Sequence, residues 1–196
     1  MRTFEFLGLK LCLNDEVYEP AEDTALLMEL IQVRPGESVL EVGSGTGVLG
    51  VRAAMLGGRV TMIDVNPQAA EASLCSSRLN KVDVNVLNCD LLTCLRKFKV
   101  DVGIFNPPYL PFEEYTTWLH YSWSGGKTGN NVLIKFLQSL RAGRYYFLAS
   151  SLGDLDELMT FLSKSGFAFR SKTKVIGFEE LVAFEGVDDK SSTGGT

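Results

Sequence analysis

Short β-rich runs that alternate with helical patterns, instead of with tight turns, limit this chain to a mostly parallel sheet covered by helices. Ser38 to Val42 reads as a first central strand, followed by glycine-rich Gly43 to Gly47 and a helix over about 48–56. Val60 to Asp64 is a second strand. Asn66 is a good cap with Pro67 just inside it, so the next helix runs from Pro67 to Leu79. Val84 to Leu87, Val100 to Phe105 and Tyr145 to Ala149 complete the set, with helices over about 130–141 and 154–164. After Gly166 the alternation stops: Phe167 to Ile176 and Glu180 to Glu185 are strand-like with only a short turn between them, an antiparallel hairpin closing the sheet. Upstream, Phe4 to Leu13 holds short strands, and 21–33 reads as a helix with Glu22 and Asp23 in its first turn, where acids favour the helix dipole.

No repeat, linker or composition shift divides the chain, and 196 residues suit one domain, expected over 1–186. Polar, Gly/Ser-rich residues 187–196 read as a flexible tail. A net charge of −5 argues against duplex nucleic acid as the main partner. The four cysteines form no C-x-x-C pair and His120 is the sole histidine, so no metal site is expected. Cys75 and Cys89 lie in apolar surroundings and read as small buried hydrophobes. No apolar stretch approaches the length of a membrane span and residues 1–10 do not resemble a signal peptide. The default is a reducing compartment: the cytoplasm, or also the nucleus in a eukaryote.

Two motifs carry chemistry. In the first, Glu41-Val42-Gly43-Ser44-Gly45-Thr46-Gly47, the spacing Gly45-x-Gly47-x-x-Gly50 formally satisfies a dinucleotide fingerprint, which would make the chain a NAD-dependent oxidoreductase. The same turn lets backbone approach the amino-acid part of S-adenosylmethionine, with Glu41 beside its ammonium group. A carboxylate would repel a pyrophosphate, so Glu41 favours the second ligand over the first; the plain alternative is a solvated strand-end charge. Asp64 ends the second strand, where ligands of open α/β sheets collect and a carboxylate can accept both ribose hydroxyls. Asp90 suits an adenine amine, with Leu91 against the ring. Each aspartate could instead cap the next helix.

The second motif is Asn106-Pro107-Pro108-Tyr109. Each proline fixes its own φ and removes a backbone donor, and a residue before proline is pushed out of the helical region. The result is a rigid shelf of free carbonyls, an amide and a flat ring, suited to a planar –NH2 group. Glu41, Asp64, Asp90 and Asn106 thus stand at successive strand ends, in the order of one adenosyl ligand lying across a sheet with an acceptor beside it. A nicotinamide cofactor leaves the shelf without a role.

These residues resemble the class I S-adenosylmethionine-dependent methyltransferases, and within them the short archaeal and eukaryotic branch of the HemK-like glutamine N5-methyltransferases that modify translation release factors. Three segments carry the resemblance: Tyr18-Glu19-Pro20-Ala21-Glu22-Asp23-Thr24, Glu41 through Gly47, and Asn106 through Tyr109, with Gly125-Gly126-Lys127-Thr128-Gly129 as a weaker fourth. It implies a Rossmann-like, seven-stranded sheet of order 3-2-1-4-5-7-6. It also implies a cofactor site of Thr24, Glu41, Gly43, Gly45, Gly47, Asp64, Asp90, Leu91 and Asn106. The acceptor would be the Gln amide of a Gly-Gly-Gln motif in a class I release factor, held by Asn106 and the Pro107 carbonyl, with Pro108 in the shelf and Tyr109 on the amide plane.

The branch works with a small zinc-binding activator subunit. The third strand lies at a sheet edge in this order, and its alternating Val84 and Val86 with no guarding proline make it the expected docking site for that heterodimer. Phe112, Tyr115, Trp118, Tyr121 and Trp123 are either a substrate lid or the packing core of their own loop. The same rings favour the main rival, an adenine N6-methyltransferase that sandwiches a flipped base. A scaffold that binds cofactor without chemistry has less support, because the acceptor shelf is intact.

Overall fold

The computed structural model describes residues 1–96 and 99–188. It opens with a hairpin, β1 (Arg2–Phe6) and β2 (Leu9–Leu13), and continues into α1 (Glu22–Leu30). This helix stops before the residue 33 expected from its pattern. Ile31 is already extended, and the Gln32 carbonyl is used outside the helix, accepting from Arg144 Nη2 at 3.1 Å and Tyr146 Oη at 3.4 Å. The expected alternation comes next: β3 (Ser38–Val42), α2 (Val48–Met55), β4 (Arg59–Asp64), α3 (Pro67–Leu79), β5 (Val84–Asn88) and β6 (Lys99–Phe105). The Asn66 side chain accepts from Gln68 N at 2.9 Å with Pro67 in the first turn, so the capping signal read from the sequence does set the start of α3.

Then come α4 (Trp118–Tyr121), α5 (Asn131–Ser139), β7 (Arg141–Ser150), α6 (Leu155–Ser165), β8 (Phe167–Ile176) and β9 (Glu179–Asp188). The seven-stranded sheet has the order β5-β4-β3-β6-β7-β9-β8. Counted from β3, this is 3-2-1-4-5-7-6. The first five strands of the order run parallel, and β9 pairs antiparallel with β7 and β8. One apolar face buries Leu27, Leu49 and Val51 from α1 and α2; the other buries Phe136, Leu158 and Leu162 from α5 and α6. Both faces being covered, the central strands are buried almost throughout, as a parallel sheet requires.

Parallel strands end on the same side, and the register aligns those ends. Val42 lies opposite Ile63 and Phe105, and Asp64 opposite Asn88. The segments leaving the four strands therefore converge on one sheet edge.

Two expectations need correction. The tail does not start at 187, because Val187 and Asp188 complete β9, paired through Arg144 and Phe167; residues 189–196 lie outside the described residues. Nor are Cys75 and Cys89 plain apolar fillers. Cys12 on β2 bridges to Cys75 on α3, and Cys89 to Cys94. The first pair is separated by 63 residues and exists only because the β1–β2 hairpin docks on α3, a contact that spacing cannot disclose. Among the described residues no helix is long and apolar enough to cross a membrane.

Candidate active site

Above the strand ends lies a cavity of about 1110 Å³. Glu41, one residue before the end of β3, is only 2 % exposed and faces this cavity. Its Oε2 accepts from Gly50 N at 2.9 Å, in the first turns of α2. Burial pushes its carboxyl well above the usual carboxylate range, against the pull of the Gly50 N–H, and the neighbouring Asp64 pushes the same way. With no cation among its described partners, this carboxyl suits a ligand that brings one.

The glycine turn divides its labour. Gly43, at a φ of 62°, has Phe105 where a Cβ would stand, only 2.8 Å away. Gly45 has nothing within 4 Å of such a Cβ, so backbone is bared to the cavity there. Gly47 departs from the sequence reading: it caps α2 away from the cavity wall, gives its N–H to Ser44 O at 2.6 Å, and would press a Cβ to 2.9 Å from the Cα of Ser73. Its smallness serves helix packing.

Asp64 closes β4 with both oxygens occupied by backbone: Oδ2 accepts from Gly45 N at 2.8 Å and Oδ1 from Asn66 N at 2.9 Å. Burial raises its pKa although those N–H groups oppose the shift. Asp90 and Leu91 come after β5 on the cavity wall, and Leu91 takes a left-handed backbone at a φ of 46°. The Cys89–Cys94 bridge spans them.

Asn106 stands just past β6, and its surroundings are the least expected part of the site. Its Nδ2 donates to Asp23 Oδ2 at 2.9 Å and to Thr24 Oγ1 at 3.2 Å, both on the first turn of α1. Its Oδ1 is buried and accepts from no described donor. A buried orphan acceptor is costly, about 1–3 kcal/mol, and calls for a partner that no described residue supplies. Pro107 is buried, Pro108 and Tyr109 half-buried, and among the described residues no backbone N–H reaches the Pro107 carbonyl. Burial, followed by the charge of Asp23, holds the Tyr109 phenol protonated far beyond its ordinary range, and Tyr18 is raised for the same two reasons.

From behind, the shelf is held by the glycine loop. Leu110 N donates to Trp123 O at 3.0 Å, and Gly125 N donates back to Leu110 O at 2.8 Å. A Cβ on Gly125 would meet Pro108 O at 2.7 Å, and one on Gly129 would overlap Tyr109 O. Of the aromatic segment, Tyr115, Trp118, Tyr121 and Trp123 reach the cavity wall, whereas Phe112 does not. The rings also pack on one another, Tyr115 on Tyr121 with centroids 4.9 Å apart and Trp118 on Tyr121 at 5.3 Å, so the two readings of this segment are compatible. Trp118 N donates to Glu16 Oε2 at 3.0 Å, which ties the segment to the strap before α1. His120 bonds Thr116 at 2.7 Å, outside the cavity wall.

The sequence pattern of the family described as methyltransferase small domain matches residues 19–119, which include the glycine turn and the Asn106–Tyr109 shelf. The chain belongs to that family. A protein of Methanocaldococcus jannaschii with the provisional name protein N5-glutamine methyltransferase is 35% identical over 188 residues, covering 91% of this chain and 95% of its own. Methyltransferase HEMK2 of Homo sapiens is 34% identical over 171 residues, covering 77% and 79%. Among solved structures, the Mtq2–Trm112 complex of E. cuniculi, responsible for methylation of the eRF1 translation termination factor, matches with a TM-score of 0.72 and 26% identity, covering 89% of this chain and 99% of that one. The chain is thus a methyltransferase of the HemK-like, protein-glutamine type.

Sequence reasoning brought Thr24, Glu41, Gly43, Gly45, Asp64, Asp90, Leu91 and the four shelf residues to one cavity, where the structure places them all. In this methyltransferase it missed Asp23, which reads as a helix-dipole partner from the sequence but is 3 % exposed and bonded to Asn106. The available signal was the adjacency of Asp23 to Thr24.

Proposed function

We propose that this methyltransferase transfers a methyl group from S-adenosylmethionine to the side-chain amide nitrogen of the glutamine in the Gly-Gly-Gln motif of a class I release factor. The observation that carries the reading is the buried Oδ1 of Asn106 and the nearby Pro107 carbonyl, neither of which accepts from a donor among the described residues: two acceptors for the two N–H groups of one planar amide. An amide nitrogen is a poor nucleophile because its lone pair is delocalised. Accepting both of its protons orients that nitrogen and returns electron density to it. Positioning then supplies most of the rate, with no strong base required.

The cofactor fits the wall. Glu41 supplies an anion for an ammonium group, Gly45 bares backbone, and Asp64 with Asp90 offers carboxylates for ribose and adenine, beside Leu91, Gly43 and Thr24. When bound, S-adenosylmethionine supplies a sulfonium methyl, so that the N–C bond forms as the S–C bond breaks and its electron pair stays on sulfur. Asn106 and Pro107 hold the nitrogen until the surplus proton leaves to water, and the protonated Tyr109 ring packs against the amide. Activity on a release factor supports a cytoplasmic location, or a nuclear one in a eukaryote, against which the Cys12–Cys75 and Cys89–Cys94 disulfides stand as a feature uncommon in reducing compartments.

Labelled methyl transfer tests the reading. Wild-type release factor accepts label, its Gln-to-Ala version does not, and DNA does not; labelling of DNA alone would establish an adenine acceptor instead.

Glu41→Gln is expected to weaken S-adenosylhomocysteine binding by about 10- to 100-fold, since a charged hydrogen bond is lost in a buried site. The wild-type affinity should also weaken as the pH is lowered. Burial raises the Glu41 pKa, so as pH drops through that raised value the carboxyl takes up a proton and no longer meets the ammonium. Calorimetry across about pH 5–8 checks both; a flat profile in wild type and variant alike would remove Glu41 from the site.

The reading extends to a small zinc-binding partner subunit docked on β5. The opposite edge, β8, carries Arg170, Lys172 and Lys174, charges that discourage pairing, whereas β5 has neither lysine nor proline. Val84 and Val86, the expected contacts, turn half-buried onto the core, leaving Asn85 and Leu87 outward. Leu87→Glu should therefore reduce recovery of the co-expressed subunit severalfold at unchanged fold content. Undiminished recovery would move the partner elsewhere.

A further inference from the structure

We infer that Asp23 is the positioning residue that decides which way Asn106 faces, and so whether the shelf can accept the substrate amide. The inference rests on the proposed function for its acceptor but draws on a separate set of contacts. A carboxamide has two nearly isosteric ends, and only the oxygen end can receive an N–H. In Asn106 that choice is made by a carboxylate, which only accepts: Asp23 Oδ2 lies 2.9 Å from Asn106 Nδ2, with Thr24 Oγ1 accepting from the same nitrogen at 3.2 Å. Turning the amide over would set its oxygen against a carboxylate oxygen in a buried place, where like partial charges repel strongly.

Asp23 is in turn oriented. Its Oδ1 accepts from the Tyr18 hydroxyl at 3.3 Å and from Thr24 Oγ1 at 3.3 Å, the Tyr109 hydroxyl also bonds the carboxylate, and Oδ2 meets Asn106. Burial keeps Tyr18 a protonated donor. The carboxylate also polarises the amide along its length, drawing on the N–H end and enriching the oxygen that faces the acceptor. The chain of orientation thus runs from Tyr18 through Asp23 to Asn106, and its last atom is the orphan Oδ1.

Asp23→Asn is the informative change because it preserves shape. The Tyr18 donor keeps the new amide oxygen on its side, so its NH2 replaces Oδ2 and meets the NH2 of Asn106. Asn106 relieves the clash by inverting, its oxygen then accepting from the new NH2 and from the Thr24 hydroxyl, which turns its own NH2 towards the acceptor. Turnover on the release factor should fall by about 100-fold, the order expected when a preorganised group is lost or misplaced. S-adenosylhomocysteine affinity and thermal midpoint should stay near those of wild type. In an Asn106→Ala background the same change should cost nothing further, because the residue it acts through is gone.

A structural role predicts the reverse: a lowered midpoint and an equal loss in both backgrounds. Turnover of Asp23→Asn within about threefold of wild type overturns the inference and leaves the proposed function standing. Failure of the wild-type enzyme to label any glutamine acceptor overturns the proposed function instead. In that event the inference is still read without substrate, from the side-chain amide protons of Asn106 by nitrogen-15 NMR. Their exchange with water should be at least about tenfold faster in Asp23→Asn than in wild type as the bond to the carboxylate is lost; unchanged protection would overturn it.

Discussion

Asn106→Ala should leave a folded protein that binds S-adenosylhomocysteine with affinity within a few-fold of wild type and transfers methyl about 100- to 1000-fold more slowly. The expectation separates ground-state from transition-state roles. Asn106 is half-buried at the end of a strand whose preceding residues, Val102 to Phe105, are fully buried, so truncating its side chain leaves the packing of β6 intact. What disappears, under the proposed function, is one of two acceptors that would hold the substrate nitrogen while positive charge develops on it. Such an interaction grows towards the transition state, and its loss lowers kcat and kcat/KM together. Single-turnover transfer from labelled cofactor measures the first quantity and calorimetry the binding. A loss confined to KM would show that Asn106 serves uniform binding, and would shift the chemistry onto the Pro107 carbonyl alone.

Gly129→Ala, though distant from the reacting atoms in sequence, should be nearly as damaging and for a different reason. Gly129 has a φ of 80°, a conformation that costs an alanine about 1–2 kcal/mol. The added methyl would also overlap Tyr109 O and stand 3.1 Å from the Cα of Gly153, both main-chain atoms that cannot swing aside. Overpacking of this kind adds roughly 1–3 kcal/mol, so the midpoint should drop by about 5–15 °C. The molecules that remain folded should carry a displaced shelf, and a shift on the order of 1 Å costs about 100-fold in rate. Thermal melting and turnover per folded molecule check the two parts. A variant that melts lower yet turns over normally would show that the glycine loop supports stability but not the shelf.

Those two residues mark how far the sequence could be read. The strand and helix limits around Ser38–Val42 and Pro67–Leu79 were legible because their signals are local: an apolar run of strand length, a cap residue, a proline in the first turn. The four strand-end positions were legible too, since a parallel sheet places every strand end on one side whatever its detailed packing. The contacts that give those positions their chemistry were not. Asp23 reaches Asn106, Cys12 reaches Cys75, and Gly129 reaches Tyr109 across tertiary interfaces, and no periodicity of about 2 or 3.6 residues encodes such a meeting. Gly47 shows the converse case: a motif position assigned to ligand approach also has Ser73 of the next helix packed where a Cβ would stand. Val84 and Val86 alternate as predicted, but only the folded sheet reveals which face of β5 turns inward.

The bond from Asp23 to Asn106 joins residues 83 positions apart. During synthesis at the ribosome, the first of them emerges several seconds before the second, at about 5–20 residues per second. Until β6 has inserted beside β3, the two cannot meet, and a nascent chain carries a complete glycine turn while its amide remains free to rotate. The oriented Asn106 amide is therefore completed late, once β6 has paired with β3 and brought it to α1, well after the glycine turn that faces it has been synthesised.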